Sequence, residues 1–311
     1  MTADGSCLIE AIRAGPFAAR FFVEHSRAEI VAVFERSLYL QAGRSFVCLG
    51  DERIGDGPIN VIVISRGDGN FISRSRVGEC VEIAGGVARA AAWRLDMRGA
   101  DVWMPAAWPA ICGRDALAAA VSLAQAVARS MSPFDGLLPL IIEEGDAGKW
   151  GGAFERLARP RLARLESWIL AAFTGGADAS VEPPVDLLGL GPGLTPSGDD
   201  ALCGAMLALR ALGSARSAET SRRLAVAVER KSAEATTALS GQFLSAAIEG
   251  QGSAVLHDFV GVLIGGETAR IPAALEKLAR VGHSSGLDAA AGVILALRAF
   301  VAATHRSMRS P

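Results

Sequence analysis

The residues best suited to chemistry sit in one thirteen-residue string, Leu188-Gly-Leu-Gly-Pro-Gly-Leu-Thr-Pro-Ser-Gly-Asp-Asp200. It holds four glycines, two prolines, two hydroxyl residues and two adjacent carboxylates, directly ahead of an apolar stretch with helical spacing. Glycines let backbone amides converge, and the start of a helix adds partial positive charge, so such a loop suits a phosphate or a carboxylate. The amides around Gly191, Gly193 and Gly198, with the hydroxyls of Thr195 and Ser197, are the candidate anion-binding groups. Asp199 and Asp200 are the candidate catalytic pair; they would orient a substrate amide or hold a Mg²⁺ that bridges the anion.

The string has an echo. Ser197-Gly-Asp-Asp-Ala-Leu-Cys-Gly204 aligns at an offset of 88 with Ser285-Gly-Leu-Asp-Ala-Ala-Ala-Gly292, and the match continues through Leu-Ala-Leu-Arg-Ala to Ala211 and Ala299. Alanine and leucine matches are cheap in this composition, but the Ser-Gly-x-Asp-x-x-x-Gly frame is not. Ser285 and Asp288 are therefore candidates for the opposite wall of the same site. The frame also reads as a pair of helix starts: a serine N-cap accepts from the amide three residues on, and the carboxylate there reaches back. Both readings stand at the level of sequence. They part on whether Asp199, Asp200 and Asp288 converge in space.

Other signals fail on context. Gly282-His283-Ser284-Ser285-Gly286 fits the pattern of a nucleophile elbow, yet the preceding Ala273 to Val281 is patterned as a helix and not as the required strand. Gly145-Asp-Ala-Gly-Lys149 lacks the Walker spacing, and the glycines at 189, 191 and 193 do not form a dinucleotide fingerprint. His25, His257, His283 and His305 are too dispersed to nominate as a zinc set.

The elements that must position these residues divide the chain in two. In the first part Glu29–Leu40, Ser45–Leu49, Ile59–Ser65 and Val77–Val87 read as short strands, with a tight turn at Gly67–Asn70. Beyond the proline-broken segment Trp103–Gly113 the pattern is helical: Asp115–Met131, Phe154–Phe173 interrupted at Pro160, Asp199–Leu212, Glu219–Leu239, Gln242–Ile248, Val255–Ile264, Pro272–Val281 and Leu287–Ala303. The expectation is an α+β chain: an antiparallel β-rich domain over residues 1–112, barrel- or sandwich-like, then an all-helical domain over 113–311 that carries the glycine-rich loop.

Composition narrows the class of function. The 311 residues are 50% hydrophobic and 21% charged, which excludes disorder. With 31 Lys+Arg against 33 Asp+Glu the net charge is −2, so no basic surface points to nucleic acid or an anionic membrane. Mean hydropathy is +0.32, carried by small aliphatics since aromatics are only 6%. Charge-free stretches such as Ala116–Ala128 fall short of the ~18–20 residues of a membrane span. Five scattered cysteines without a C-x-x-C pair, and no apolar leader, set the expectation of a cytoplasmic globular protein.

The Leu188–Asp200 string followed by an apolar helix resembles the signature of the AllH family, also called DUF2877. Val281-Gly-His-Ser-Ser-Gly-Leu-Asp-Ala-Ala-Ala-Gly292 is similar to its second block, and Val33–Val63, with Gly57-Pro58 between strands, to its N-terminal part. The resemblance implies a subunit of oxamate carbamoyltransferase, which exchanges a carbamoyl group between oxalurate and phosphate in allantoin-derived nitrogen catabolism. It implies as ligands small anions such as carbamoyl phosphate and oxamate, and as partners two unrelated carbamoyltransferase subunits. Two other classes remain open. One is a non-catalytic subunit whose glycine-rich block packs against partner chains. The other is a Mg²⁺-dependent phosphotransferase, ranked lower because the nearest lysines, Lys149 and Lys231, are far off in sequence.

Overall fold

A computed structural model describes residues 7–66, 71–131, 135–142, 152–175 and 181–307. The expected turn at Gly67–Asn70, the Gly145–Lys149 segment and the tail past Ser307 lie outside these residues. The chain forms two compact units, Met1–Pro105 and Ala106–Pro311.

The first unit is a closed β-barrel. Its strands are β1 (Cys7–Ala14), β2 (Arg27–Val33), β3 (Ser37–Ala42), β4 (Ser45–Gly50), β5 (Asn60–Arg66), β6 (Cys80–Ala84), β7 (Val87–Arg89), β8 (Trp93–Asp96) and the short β9 (Asp101–Val102). The order β5-β4-β3-β2-β6-β7-β8-β1 closes through β1 against β5, while β9 extends the β8 side of β1. Inward residues such as Ile9, Ile30, Leu38, Leu40, Val61, Val81 and Leu95 fill the interior. Trp93 is fully buried, and its Nε1 donates to Ser75 Oγ at 2.8 Å, which satisfies the one polar atom of that ring.

Two details differ from the expected antiparallel sheet. β4–β5 and β1–β8 are parallel pairs, so the barrel is mixed. The run Glu29–Leu40 is not one strand but β2 and β3, turned where Phe34 N–H donates to the Ser37 carbonyl. Alternation along a strand reveals which face is buried and says nothing about a partner distant in the chain. β1 and the helix α1 (Pro16–Glu24) were not anticipated from the pattern at all.

The second unit is helical: α3 (Arg114–Met131), α4 (Leu138–Ile142), α5 (Ala153–Thr174), α6 (Ser197–Ala211), α7 (Ala215–Ala235), α8 (Ala238–Ile248), α9 (Ala254–Ile264), α10 (Ile271–Leu278) and α11 (Ser285–Ser307), with a one-turn α2 (Phe71–Arg74) left in the barrel unit. α5 runs unbroken through Pro160. That residue lies on the exposed face, where water can take the carbonyl left without its amide. The expected helix Glu219–Leu239 divides at Thr237, whose side chain accepts from the Ser240 amide and starts α8.

α6 and α11 form the core of this unit. Residues 201–209 and 289–297 are buried without a break. α11 is long and apolar enough to cross a membrane by length and composition, but 78% of its apolar window is buried inside the unit, the condition of a core helix. The two helices touch backbone to backbone. A Cβ on Gly204 would fall 2.0 Å from the Ala289 carbonyl oxygen, and one on Gly292 would fall 1.8 Å from the Ala201 carbonyl oxygen. Ala289 and Gly292 are the echo positions of Ala201 and Gly204, so the contact is reciprocal: the repeated segments meet across a local two-fold relation.

Candidate functional site

The same relation extends to the helix starts. Gly198 N–H donates to the Leu190 carbonyl at 2.8 Å, and Gly286 N–H to the Val281 carbonyl at 3.1 Å. A Cβ on Gly198 would fall 2.0 Å from the Leu187 oxygen, and one on Gly286 would fall 2.0 Å from the Leu278 oxygen. Gly191 and Gly282 follow those two carbonyl residues, both at positive φ, and each lies against the serine that opens its helix. The copies therefore differ by an insertion. Five residues, Pro192–Pro196, separate Gly191 from Ser197, where only His283 and Ser284 separate Gly282 from Ser285.

Neither serine acts as the expected local cap. α6 begins at Ser197 with Pro196 in the cap position and no side-chain cap bond. The polar groups cross between the copies instead. Ser285, from α11, lies beside Asp200 of α6, and Ser197, from α6, lies beside Asp288 of α11. Thr195 joins the first pair, its Oγ1 2.9 Å from Ser285 Oγ.

The carboxylates that meet here are Asp200 and Asp288. Both are held above the ordinary carboxyl range. For Asp200 burial is the main cause and the charge of Asp288 the next, opposed by the Ser285 and Thr195 hydroxyls. For Asp288 burial dominates, opposed by the Leu137 amide and the hydroxyls of Ser197 and Ser284. Two buried acids in one field titrate as a pair and resist carrying two charges. The Oδ2 atoms of both are buried with no hydrogen-bond donor in place.

Asp199 has a different task. Its Oδ1 accepts the Gly189 amide at 2.9 Å, and its Oδ2 accepts the Ser240 hydroxyl at 2.7 Å and the Thr236 hydroxyl. It ties the glycine-rich loop to the α7–α8 junction. Thr237 Oγ1 adds a second tie, donating to the Leu194 carbonyl at 2.6 Å. With both oxygens of Asp199 taken by protein donors, the adjacent aspartates do not form the chelating pair a Mg²⁺ would need. Among the described residues no group of three or more His, Cys, Asp or Glu side chains is placed to hold a metal ion.

The glycines of the loop also separate by role. Gly189 has φ +70° with the Ala235 carbonyl against it, and Gly191 has φ +118° against Ser197; both contacts are within the chain. Gly193, at φ +96°, faces open space, and Leu194 beside it is exposed. The part of the loop open to a ligand is therefore its tip, Pro192 to Leu194.

Residues 187–297 match the family of oxamate carbamoyltransferase subunit AllH. The AllH match takes in the glycine-rich loop, α6, and α11 as far as Leu297, so the Ser-Gly-x-Asp-x-x-x-Gly frame of both copies lies within it. The N-terminal similarity expected at Val33–Val63 falls outside the matched residues. The family is named for a subunit of that enzyme. The chain matches no curated protein and no solved structure.

Within the AllH-matched segment the structure brings together Thr195, Ser197, Asp200, Ser285 and Asp288. It sends Asp199 to the loop anchor. The participants that sequence reasoning missed are Ser284 and the segment Asp135–Leu137, which reaches Asp288 from far away in the chain. Leu137 N–H donates to Asp288 Oδ1 at 2.6 Å. Gly136, at φ +95°, allows this approach, since a Cβ there would fall 2.3 Å from the same oxygen. The Asp135-Gly136 dipeptide is a turn signal, but nothing in it points to α11. His283, left above as a loop histidine, is exposed and pairs with Asp135 at 3.0 Å.

Proposed function

We propose that the chain serves as the AllH-type subunit of a carbamoyltransferase and binds a small anionic substrate, carbamoyl phosphate or oxamate, between the starts of α6 and α11. The observation that carries this reading is the buried Asp200–Asp288 pair with two oxygens lacking donors, set beside the open tip of a glycine-rich loop. Native chains satisfy nearly all buried polar atoms, so such a pair at the meeting of two helix N-termini marks a place completed by a ligand or a shared proton. Helix-start amides and the hydroxyls of Thr195, Ser197 and Ser285 supply fixed dipoles for an anion without a basic surface, the kind of preorganised field that stabilises charge in a transferring group. The enzyme's other subunits are the expected partners. Five scattered cysteines without a C-x-x-C pair fit assembly in the cytoplasm.

The alternative of a block that packs against partner chains has less to draw on, because Gly189, Gly191 and Gly198 are all spent on contacts within the chain. Isothermal titration of the full chain with carbamoyl phosphate, on wild type and Thr195→Val, tests the site. Saturable binding that weakens about tenfold or more in the variant supports it, the size expected for a charge-assisted hydrogen bond. Equal binding by both proteins, or none by either, contradicts it.

A further inference from the structure

The acid pair is short of positive charge. Asp200 stands on α6 and Asp288 on α11, so the two carboxylates come one from each copy and not from neighbouring positions on one helix. Asp200 feels the charge of Asp288 more strongly than that of its own neighbour Asp199. Asp288 is fully buried, and the Oδ2 atoms of both acids are buried without a donor. Among the described residues, what counters the raising of these acids is hydroxyls and the Leu137 amide, with no basic side chain in that role. Two helix starts supply about +0.5 each against about −2 from the ionised pair, which leaves roughly −1 between them. A shared proton brings that balance only to about zero.

We infer that Asp200 and Asp288 together hold a hard divalent cation, Mg²⁺, through their Oδ2 atoms, with the hydroxyls of Thr195 and Ser285 on one side and of Ser197 and Ser284 on the other as neutral oxygen ligands. Leu137 N–H engages Asp288 Oδ1 at 2.6 Å and leaves Oδ2 for the metal. Every donor in this set is an oxygen, which selects Mg²⁺ or Ca²⁺ over metals that seek thiolate or imidazole. Mg²⁺ is the better fit of the two. It binds through one or two carboxylates and completes its octahedron with waters and ligand oxygens, so it needs no third acid. The cation turns the balance between the helix starts to roughly +1. An anion can then meet the metal from the side of the loop tip, Pro192–Leu194. That coupling rests on the anion site proposed above, whereas the cation itself does not.

Mg²⁺ alone is the first probe. Isothermal titration of the full wild-type chain with magnesium chloride at pH 8 is expected to show a saturable site. Asp200→Asn and Asp288→Asn are each expected to weaken it by at least ~100-fold, the upper end of what loss of an outer-shell partner costs a metal site. Mn²⁺, which takes the same oxygen ligands, locates the site without any variant. It is expected to broaden the NMR signals of the Leu137, Gly198 and Gly286 amides first. No saturable Mg²⁺ binding by wild type overturns the inference, as does Mn²⁺ broadening that begins at exposed acids such as Asp115 and Glu219. Inorganic phosphate, titrated with and without Mg²⁺, separates this inference from the anion site. Phosphate that binds at least ~10-fold more tightly with Mg²⁺ supports both. Phosphate that binds equally without Mg²⁺ overturns the coupling and leaves the anion site standing. Mg²⁺ binding with no phosphate binding overturns the anion site and supports the cation.

Discussion

The starts of α6 and α11 carry the same frame, make the same glycine contacts, and end in different states. At α11 a backbone amide from elsewhere in the chain joins the hydroxyls: Leu137 N–H donates to Asp288 Oδ1, while Asp288 Oδ2 stays without a donor. Ten residues further along, Arg298 is gripped by Glu166 through two bonds of 2.6 and 2.7 Å and donates to the Ile141 carbonyl at 2.7 Å. At α6 the equivalents are engaged differently. Asp200 takes the hydroxyls of Ser285 and Thr195, and Arg210, the echo of Arg298, is exposed along a groove with Ser221 and Arg222. The difference teaches that a duplicated scaffold can hold two helix N-termini together through backbone contact while the rest of the chain engages the two copies differently.

The contact that joins the copies is the most sensitive point of this comparison. Gly204→Val and Gly292→Val each place side-chain atoms into a backbone carbonyl less than about 2 Å away. Both are expected to cost more than ~4 kcal/mol or to abolish folding, since neither helix can withdraw from a buried core. Gly193→Ala, strained only by its positive φ and facing open space, is expected to cost about 1 kcal/mol. Denaturant unfolding of the three variants checks the order, and a mild Gly204→Val would break the two-fold account.

Next in size is the contrast between neighbouring aspartates. Asp199→Ala strands a backbone amide and two hydroxyls and is expected to lose about 3 kcal/mol, whereas Asp200→Asn is expected to change stability little at acid pH. Equal losses in thermal melts at pH 4 would show that both carboxylates anchor the loop. A smaller effect separates the arginines. Arg298→Ala is expected to cost about 1–2 kcal/mol, moderated by the partial exposure of its pair with Glu166, and Arg210→Ala less than ~0.5 kcal/mol.

The carboxyl pair also sets a dependence on pH. Burial raises both Asp200 and Asp288, so above pH ~4, where the unfolded carboxyls ionise, the folded chain holds the extra protons. Stability contributed by the protonated pair is therefore present at acid pH and lost as pH rises through the raised values. Asp200→Asn removes one of these groups. Its stability relative to wild type is expected to improve from pH 4 to pH 8, measured by urea unfolding at each pH. A flat difference would mean the pair is not desolvated.

Much of this was legible in the sequence, and the rest was hidden for physical reasons. The α+β division followed from strand alternation before Trp103 and helical periodicity after Gly113, and the echo at an offset of 88 marked the two helices that form the core. Barrel closure and the parallel pairs were not legible, because β1 finds β5 and β8 through contacts far apart in the chain. The adjacent carboxylates Asp199 and Asp200 read as a pair. Yet neighbours on a helix project about 100° apart, and only the fold decides that one meets α8 and the other meets α11. The filling of Asp288 by Leu137 depends on a segment 151 residues distant. No local pattern announces it.

Carboxyl-detected ¹³C NMR of the full chain, with the Asp200 and Asp288 side-chain signals assigned through Asn variants, tests the central claim most directly. Titration with carbamoyl phosphate is expected to move the Asp200 and Asp288 signals in a saturable way. Movement of neither would contradict the view that the paired helix starts of α6 and α11 form one ligand site.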